Sequence, residues 1–232
     1  MTTQAPDRQY YCEHHLAGDR IALWWYARLI RALRPQGGRV LDFGCGTGHL
    51  LKRLSRHFEA LGYDAAAHAR HESRSNAPEA IILEEWQSIP IVSLDVIVAL
   101  HTLEHLPHPL PTIAALVRKL KPGGVFFFVV PHVGGIGHRM KGRRWFAYRD
   151  PSHVSLLSPG EWTRLARKAG LATVTVNGDG LWDAPYVRVI PTVIQRVLFG
   201  APAALQVFWP GNRAFLPAAL GECLIVTARK GG

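Results

Sequence analysis

The sequence predicts an α/β domain built on a mostly parallel sheet, and three observations carry the prediction. Short apolar runs alternate along the chain with amphipathic segments of helical length, the rhythm of repeated strand–helix units. One run, Val40-Leu41-Asp42-Phe43, leads directly into glycines at alternate positions, Gly44, Gly46 and Gly48, and then into a helical pattern. With 232 residues, 48% of them hydrophobic, the chain is also long enough to bury one two-sided core.

The elements follow in order. A first helix is expected from near Asp19 through Ile21, Leu23, Trp24, Leu29, Ile30 and Leu33, ended by Pro35 and Gly37-Gly38. Strands are expected at 39–43, 58–63, 80–83, 94–100 and 125–130, with helices at 48–57, 65–72 and 109–120 between them. The last of these carries the stripe Ile113, Leu116, Val117, Leu120. A further helix is punctuated by Ser158 as N-cap, Pro159 and Glu161 in its first turn and Gly170 past its end. Strands near 172–176 and 223–228 close the series. The roughly forty residues between them, 180–222, are apolar and proline-rich, and a connection of that length between two strands usually has a task. Pro185, Pro191, Pro202, Pro210 and Pro217 predict short broken helices there, with an apolar stripe Ile190, Val193, Ile194, Val197, Leu198 opposite Arg188, Gln195 and Arg196. The chain reads as one domain: a helical cap (1–38), a core (39–180), an apolar insertion (181–220) and a last strand (221–232).

Charge and cysteine content bound the function. Lys and Arg number 27 against 17 Asp and Glu, a net charge of +10, which calls for an acidic partner: nucleic acid, an anionic membrane face or a phosphorylated substrate. Three widely spaced cysteines, Cys12, Cys45 and Cys223, exclude a disulfide framework and fit a reducing, cytoplasmic setting. The polar first residues lack the apolar stretch of a secretory signal, and no run approaches the ~18 apolar residues of a spanning helix.

The glycine turn is the most informative stretch. Glycines there permit a sharp turn and let a ligand approach backbone that carries no Cβ, at the carboxyl end of a strand where α/β sheets place their binding crevice. Asp64, at the end of the next strand, is placed to hold the hydroxyls of a ribose.

The spacing Asp42-x-Gly44-x-Gly46-x-Gly48 resembles motif I of class I S-adenosylmethionine-dependent methyltransferases, whereas dinucleotide folds want glycine where this chain has His49. Residues 94–106, Leu-Asp-Val-Ile-Val-Ala-Leu-His-Thr-Leu-Glu-His-Leu, and residues 120–130, opening Leu-Lys-Pro-Gly-Gly, resemble that family's fourth and fifth strand motifs. The pattern over residues 10–180 looks most like the small-molecule branch that includes ubiquinone- and menaquinone-pathway enzymes. The resemblance implies a Rossmann-like three-layer sandwich with a seven-stranded, mostly parallel sheet, its last strand antiparallel. It also implies S-adenosyl-L-methionine as cofactor and S-adenosyl-L-homocysteine as product. Gly44, Cys45, Gly46 and Gly48 would line the amino-acid end with Asp42 near its ammonium, and Asp64 would hold the ribose. Glu85, with Glu84 as competitor, would face the adenine amino group, Trp86 would offer its backbone N–H, and His101 would lie beside the methionine moiety.

For the chemistry, His153, in Arg-Asp-Pro-Ser-His before the capped helix, and His132, after the fifth strand, stand where a general base is wanted if the acceptor is a hydroxyl. Tyr10 and Tyr11 are candidates for a lid. Arg144, Trp145 and Tyr148 belong to the densest basic stretch, which runs from Arg139 to Arg149, and with Trp182 they are candidate acceptor contacts. His101, Glu104 and His105 have the i, i+3, i+4 spacing of metal ligands. Some quinone-pathway O-methyltransferases carry Glu-x-x-Glu-His in that role. His101 replaces the first Glu here, and no metal is expected. The insertion reads as an acceptor cap, a membrane-surface element or a dimer contact. The expected partner is a small or lipid-like acceptor, methylated at oxygen, with peripheral membrane contact. Nucleic acid is not the expected partner, since no appended binding module or Asn-Pro-Pro-Tyr-like motif is found. RNA methylation and a non-catalytic partner-binding domain are the alternatives, and the oligomeric state is left open.

Overall fold

β5 (Leu120–Pro131) shows why the chain must be covered on two faces. In the computed structural model, which describes residues 19–232, its alternate residues point to opposite sides of one sheet. Phe126, Phe128 and Val130 meet α4 (Pro109–Lys119) and α6 (Pro159–Lys168), whose Ile113, Leu116, Val117, Trp162 and Ala166 are buried against them. Val125, Phe127 and Val129 meet α1 (Ile21–Leu33) and α2 (His49–Leu54) through Tyr26, Ile30, Leu50, Leu51 and Leu54. The result is a three-layer sandwich.

The remaining strands are β1 (Arg39–Phe43), β2 (Glu59–Tyr63), β3 (Ile81–Ile82), β4 (Leu94–Leu100), β6 (Leu171–Gly178) and β7 (Cys223–Lys230). They form one seven-stranded sheet in the order β3-β2-β1-β4-β5-β7-β6. β1 to β5 are parallel, and β7 runs antiparallel between β5 and β6. The chain winds outward from β1 in one direction and from β4 in the other, so a crevice opens between the carboxyl ends of β1 and β4. α3 (Ala67–Asn76) connects β2 to β3, and α5 (Ile136–Lys141) follows β5.

Several bounds move from the sequence expectation. α2 stops at Leu54, short of residue 57, and α3 runs on to Asn76. β5 starts at Leu120: Leu94 pairs with Leu120 and Val96 with Val125, so the Lys-Pro-Gly-Gly segment bulges inside the strand. α6 keeps its expected punctuation as a reciprocal box, with Glu161 N donating to Ser158 Oγ and Ser158 N donating to Glu161 Oε2 at 2.8 Å. Ser158→Ala is expected to cost about 1 kcal/mol in urea unfolding.

The insertion departs furthest. The expected short broken helices are a single 17-residue helix, α7 (Thr192–Phe208). Pro191 sits at its N-cap, and Pro185, Pro210 and Pro217 fall outside it. Only Pro202 lies within, on the exposed side, where the backbone carbonyl it leaves unpaired can turn to solvent.

Candidate cofactor and acceptor site

All three glycines after β1 adopt left-handed backbone, with φ of 81° at Gly44, 52° at Gly46 and 85° at Gly48. A Cβ at Gly44 would stand 2.2 Å from Thr102 Oγ1 of the β4 turn, so the two loops approach too closely for a side chain. The turn is fastened to the end of β2. Gly44 N and Cys45 N donate to Tyr63 O at 2.7 and 2.9 Å, and Gly46 N donates to Asp64 Oδ2 at 2.9 Å. Asp64 Oδ1 accepts from Ala66 N at 2.9 Å. The acid expected to hold a ribose thus also pins the glycine loop. Cys45 contributes a small buried side chain.

Asp42, 2% exposed, completes this end of the crevice. Burial, and then the neighbouring Asp64 charge, push its carboxyl up to about 7. Beyond it Phe43 stacks on Tyr63 with centroids 5.7 Å apart and meets the edge of Trp86 at 5.5 Å, so three rings line the ends of β1 and β2 and the turn after β3. The two candidate acids there are told apart by their neighbours. Glu84 is held by Arg70 and Arg74 at 2.9 and 2.5 Å, while Glu85 heads the short 3-10 turn Trp86–Ser88 with its side chain exposed.

Across the crevice His101 ends β4 with a φ of 51°, a conformation an L-residue adopts at a cost of about 1 kcal/mol, held by its N–H donating to Val129 O at 2.9 Å. Its Nδ1 lies 3.5 Å from Oε1 of the fully buried Glu104. The spacing of His101, Glu104 and His105 suits a metal, but the fold gathers a different trio. Glu104, His105 and His153 bring ligand-capable atoms within 4.8 Å of one another. The reason is a clamp between loops: Val154 N and Ser155 N both donate to Glu104 O, at 3.0 and 2.8 Å, and His105 Nδ1 lies 2.9 Å from Ser152 Oγ.

Both histidines singled out as bases are held neutral chiefly by burial, which lowers their pKa. His153 Nδ1 donates to Ala147 O at 2.7 Å, its Nε2 lies 3.7 Å from Asp150 Oδ2, and its ring stands 4.8 Å from His105. His132, 4% exposed, donates from Nδ1 to Gly221 O at 3.3 Å.

The candidate acceptor contacts divide. Arg144 and Tyr148 are exposed, and Tyr148 Oη lies 3.0 Å from His138 Nε2. Trp182, half exposed, donates from Nε1 to Asp179 Oδ2 at 2.6 Å and leans on Phe146 with centroids 4.9 Å apart. Trp145, contrary to the sequence expectation, is wholly buried, its Nε1 donating to Glu222 Oε2 at 2.7 Å, so its ring props the basic loop from beneath and is not offered to an acceptor. Lys141 is likewise turned inward onto Asp183, which removes one cation from the basic face. Tyr10 and Tyr11 lie outside the described residues.

Two buried acids that the sequence does not announce complete this region. Glu222, fully buried, accepts from Trp145 and from the Tyr186 hydroxyl and binds the insertion to the basic loop. Asp179 accepts from Cys223 N at 2.8 Å as well as from Trp182, and burial raises its carboxyl to about 6. The signal for them is slight: with Asp183 they bracket a stretch, residues 184–221, that holds no acid of its own.

Residues 13–176 match the family model described as a methyltransferase domain. The chain belongs to that family. Its left-handed glycine turn, Asp64 and the crevice at the strand ends fit the class I enzymes that use S-adenosylmethionine. Similarity to solved structures agrees at the level of the fold. A methyltransferase from Thermotoga maritima, titled a possible histamine N-methyltransferase, gives a TM-score of 0.65 at 16% identity, covering 96% of this chain and 93% of that one. The plantazolicin methyltransferase BpumL, in complex with S-adenosylhomocysteine, gives 0.65 at 14% identity, covering 97% and 91%. Among sequences, the methyltransferase is 31% identical over 157 residues to the ubiquinone biosynthesis O-methyltransferase of Idiomarina loihiensis, covering 61% of this chain and 65% of that protein. It is 29% identical over 207 residues to the protein of that name from Methylococcus capsulatus, covering 76% and 87%.

Proposed function

We propose that this methyltransferase transfers the methyl group of S-adenosylmethionine to a hydroxyl oxygen of a small or lipid-like acceptor bearing an acidic group. One observation carries the oxygen assignment. His153 keeps its proton on Nδ1 against Ala147 O and is neutral near pH 7, so Nε2 is left with a lone pair on the side of Asp150 and His105. That is the state of a general base. The names of the sequence relatives support oxygen as well.

When bound, the cofactor supplies an electrophilic methyl group on a sulfonium with a neutral thioether as leaving group. The chain's tasks are then to align the acceptor, keep water out and take up its proton. Gly44, Cys45, Gly46 and Gly48 would cradle the amino-acid end, with Asp42 opposite its ammonium and His101 beside it. Asp64 would take the ribose, and Glu85 with the Trp86 backbone the adenine. His153 would accept the hydroxyl proton while Asp150 steadies the imidazolium. His132, buried against the Gly221 carbonyl, is closed to an acceptor and is left as a residue that orders the loop. No metal ion is needed for this, since a neutral imidazole suffices. Arg144, Tyr148 and Trp182, all exposed, would meet the acceptor's acidic group and ring. The two described thiols, Cys45 and Cys223, are free, which supports the cytoplasm as the setting.

The test is methyl transfer to phenols that carry a carboxylate and an apolar tail. His153→Gln is expected to lower kcat about 100-fold near neutral pH with KM and S-adenosylhomocysteine binding unchanged. The deficit should shrink at high pH, where the phenol ionises unaided. Transfer to amines or RNA with phenols inert, or an undiminished His153→Gln rate, would overturn the oxygen assignment.

A further inference from the structure

α7 is built inside out. Its buried residues are glutamines: Gln195 accepts from Tyr186 N and Val187 N and donates to Val187 O and Ile190 O, and Gln206 accepts from Phe215 N and Leu216 N and donates to Gly178 O. These amides tie the helix down by satisfying loop backbone that burial would otherwise strand. The aliphatic stripe that a surface helix normally turns to the core faces outward, with Val193 72%, Val197 69% and Leu198 60% exposed. The face continues through Phe208, whose ring lies 6.4 Å from the exposed Trp24 of α1.

Charge around this face has one sign. Residues 184–221 contain Arg188, Arg196 and Arg213 and no Asp, Glu or Lys. From α1, Arg28 reaches over Trp24 at 4.5 Å to bond Val207 O and Trp209 O, and an open groove between α1 and the chain after α7 is lined by Arg28, Arg31 and Arg213. Asp19, which precedes α1, is paired with Arg53 at 2.7 Å. No helix among the described residues is long and apolar enough to cross a membrane.

We infer that α7 lies in the plane of an anionic lipid surface, its outward stripe in the headgroup–acyl boundary and the arginines on headgroup phosphates. An apolar helix face with cations and interfacial aromatics at its rim is the pattern that binds this way. A second copy is a poorer occupant, because a two-fold axis through the patch would set one arginine rim against the other on chains each carrying +10. Nucleic acid is poorer still, since an aliphatic stripe gives bases nothing to stack on. The surface stands independently of the cofactor assignment.

The experiment is flotation of the full chain with vesicles of phosphatidylcholine, alone or with about a third phosphatidylglycerol. The protein should float with the anionic vesicles, poorly with neutral ones, and less as salt rises. Val197→Glu/Leu198→Glu should lower partitioning more than about tenfold, and Arg188→Gln/Arg196→Gln about 30-fold on anionic vesicles only. All four positions are exposed, so S-adenosylhomocysteine binding should persist in both variants as the measure of folding. Failure of the wild type to float, or unchanged flotation of Val197→Glu/Leu198→Glu, would overturn the inference. So would a wild-type dimer that this variant dissolves without any lipid binding, which would give the face to a second copy. Flotation by a wild type that fails to bind S-adenosylhomocysteine would leave the inference standing and remove the methyltransferase reading.

Discussion

Asp64→Asn is expected to weaken S-adenosylhomocysteine binding about 100-fold by calorimetry, with a loss of about 1–3 kcal/mol in urea unfolding. The two effects have separate causes. In the folded chain each oxygen of Asp64 already accepts one backbone N–H, from Gly46 and from Ala66, both at 2.9 Å. An amide of the same shape keeps one acceptor and turns its NH2 toward the other donor, so one buried N–H of the glycine turn or of the segment entering α3 loses its partner. That is the stability term. The binding term comes from the carboxylate's negative charge, which would meet the ribose hydroxyls in charge-assisted bonds. Glu84→Gln is the matched control: the Glu84 side chain itself is 64% exposed, and the loss of its charge should leave binding within about twofold. Equal binding by Asp64→Asn and wild type would detach Asp64 from the ligand and leave it only the loop.

The glycine turn and its acid were legible because everything that defines them is local. Gly44, Gly46 and Gly48 must be glycine for backbone reasons that a spacing reveals, and Asp64 follows one strand later. The capped helix α6 was legible for the same reason. The orientation of α7 was not. Periodicity finds the stripe Val193, Ile194, Val197, Leu198, but it carries no sign, and the usual assumption that the stripe faces inward fails where glutamines supply the buried contacts. Glu222 and Trp145 were illegible in a different way. They are 77 residues apart, and neither has a neighbour in sequence that announces the bond between them. Trp145 beside arginines reads as a surface ring until the partner that buries it is known. The histidine trio shows the intermediate case: helical spacing nominated His101, and the loop clamp onto Glu104 O delivered His153.

Cofactor affinity is expected to rise with pH, with Asp42 as the cause. Its carboxyl is raised to about 7 by burial first and by the Asp64 charge second. Below that value the group is largely neutral and offers the cofactor's ammonium a dipole; above it, a full charge. S-adenosylhomocysteine affinity should therefore climb by up to about tenfold per unit between roughly pH 5 and 7 and then level off, with proton release on binding detectable as a buffer-dependent heat. Stability of the ligand-free protein should move the other way. The folded state holds the proton up to about 7 whereas the unfolded state gives it up near 3.8, so between those values the folded state binds more protons. Asp42's contribution to stability consequently falls as pH rises through that window, by on the order of 4 kcal/mol at most. Asp42→Asn should flatten both profiles, gaining stability at pH 8 while losing ligand affinity there. Asp64→Asn supplies the cross-check, because removing the repelling charge should lower Asp42's pKa and shift the onset of the remaining binding to lower pH. A binding profile as steep in Asp42→Asn as in the wild type would assign the pH dependence to another group. The cofactor end of the crevice would then be a site that spends folding stability on a buried acid without returning it to the ligand, an arrangement that selection has no physical reason to hold.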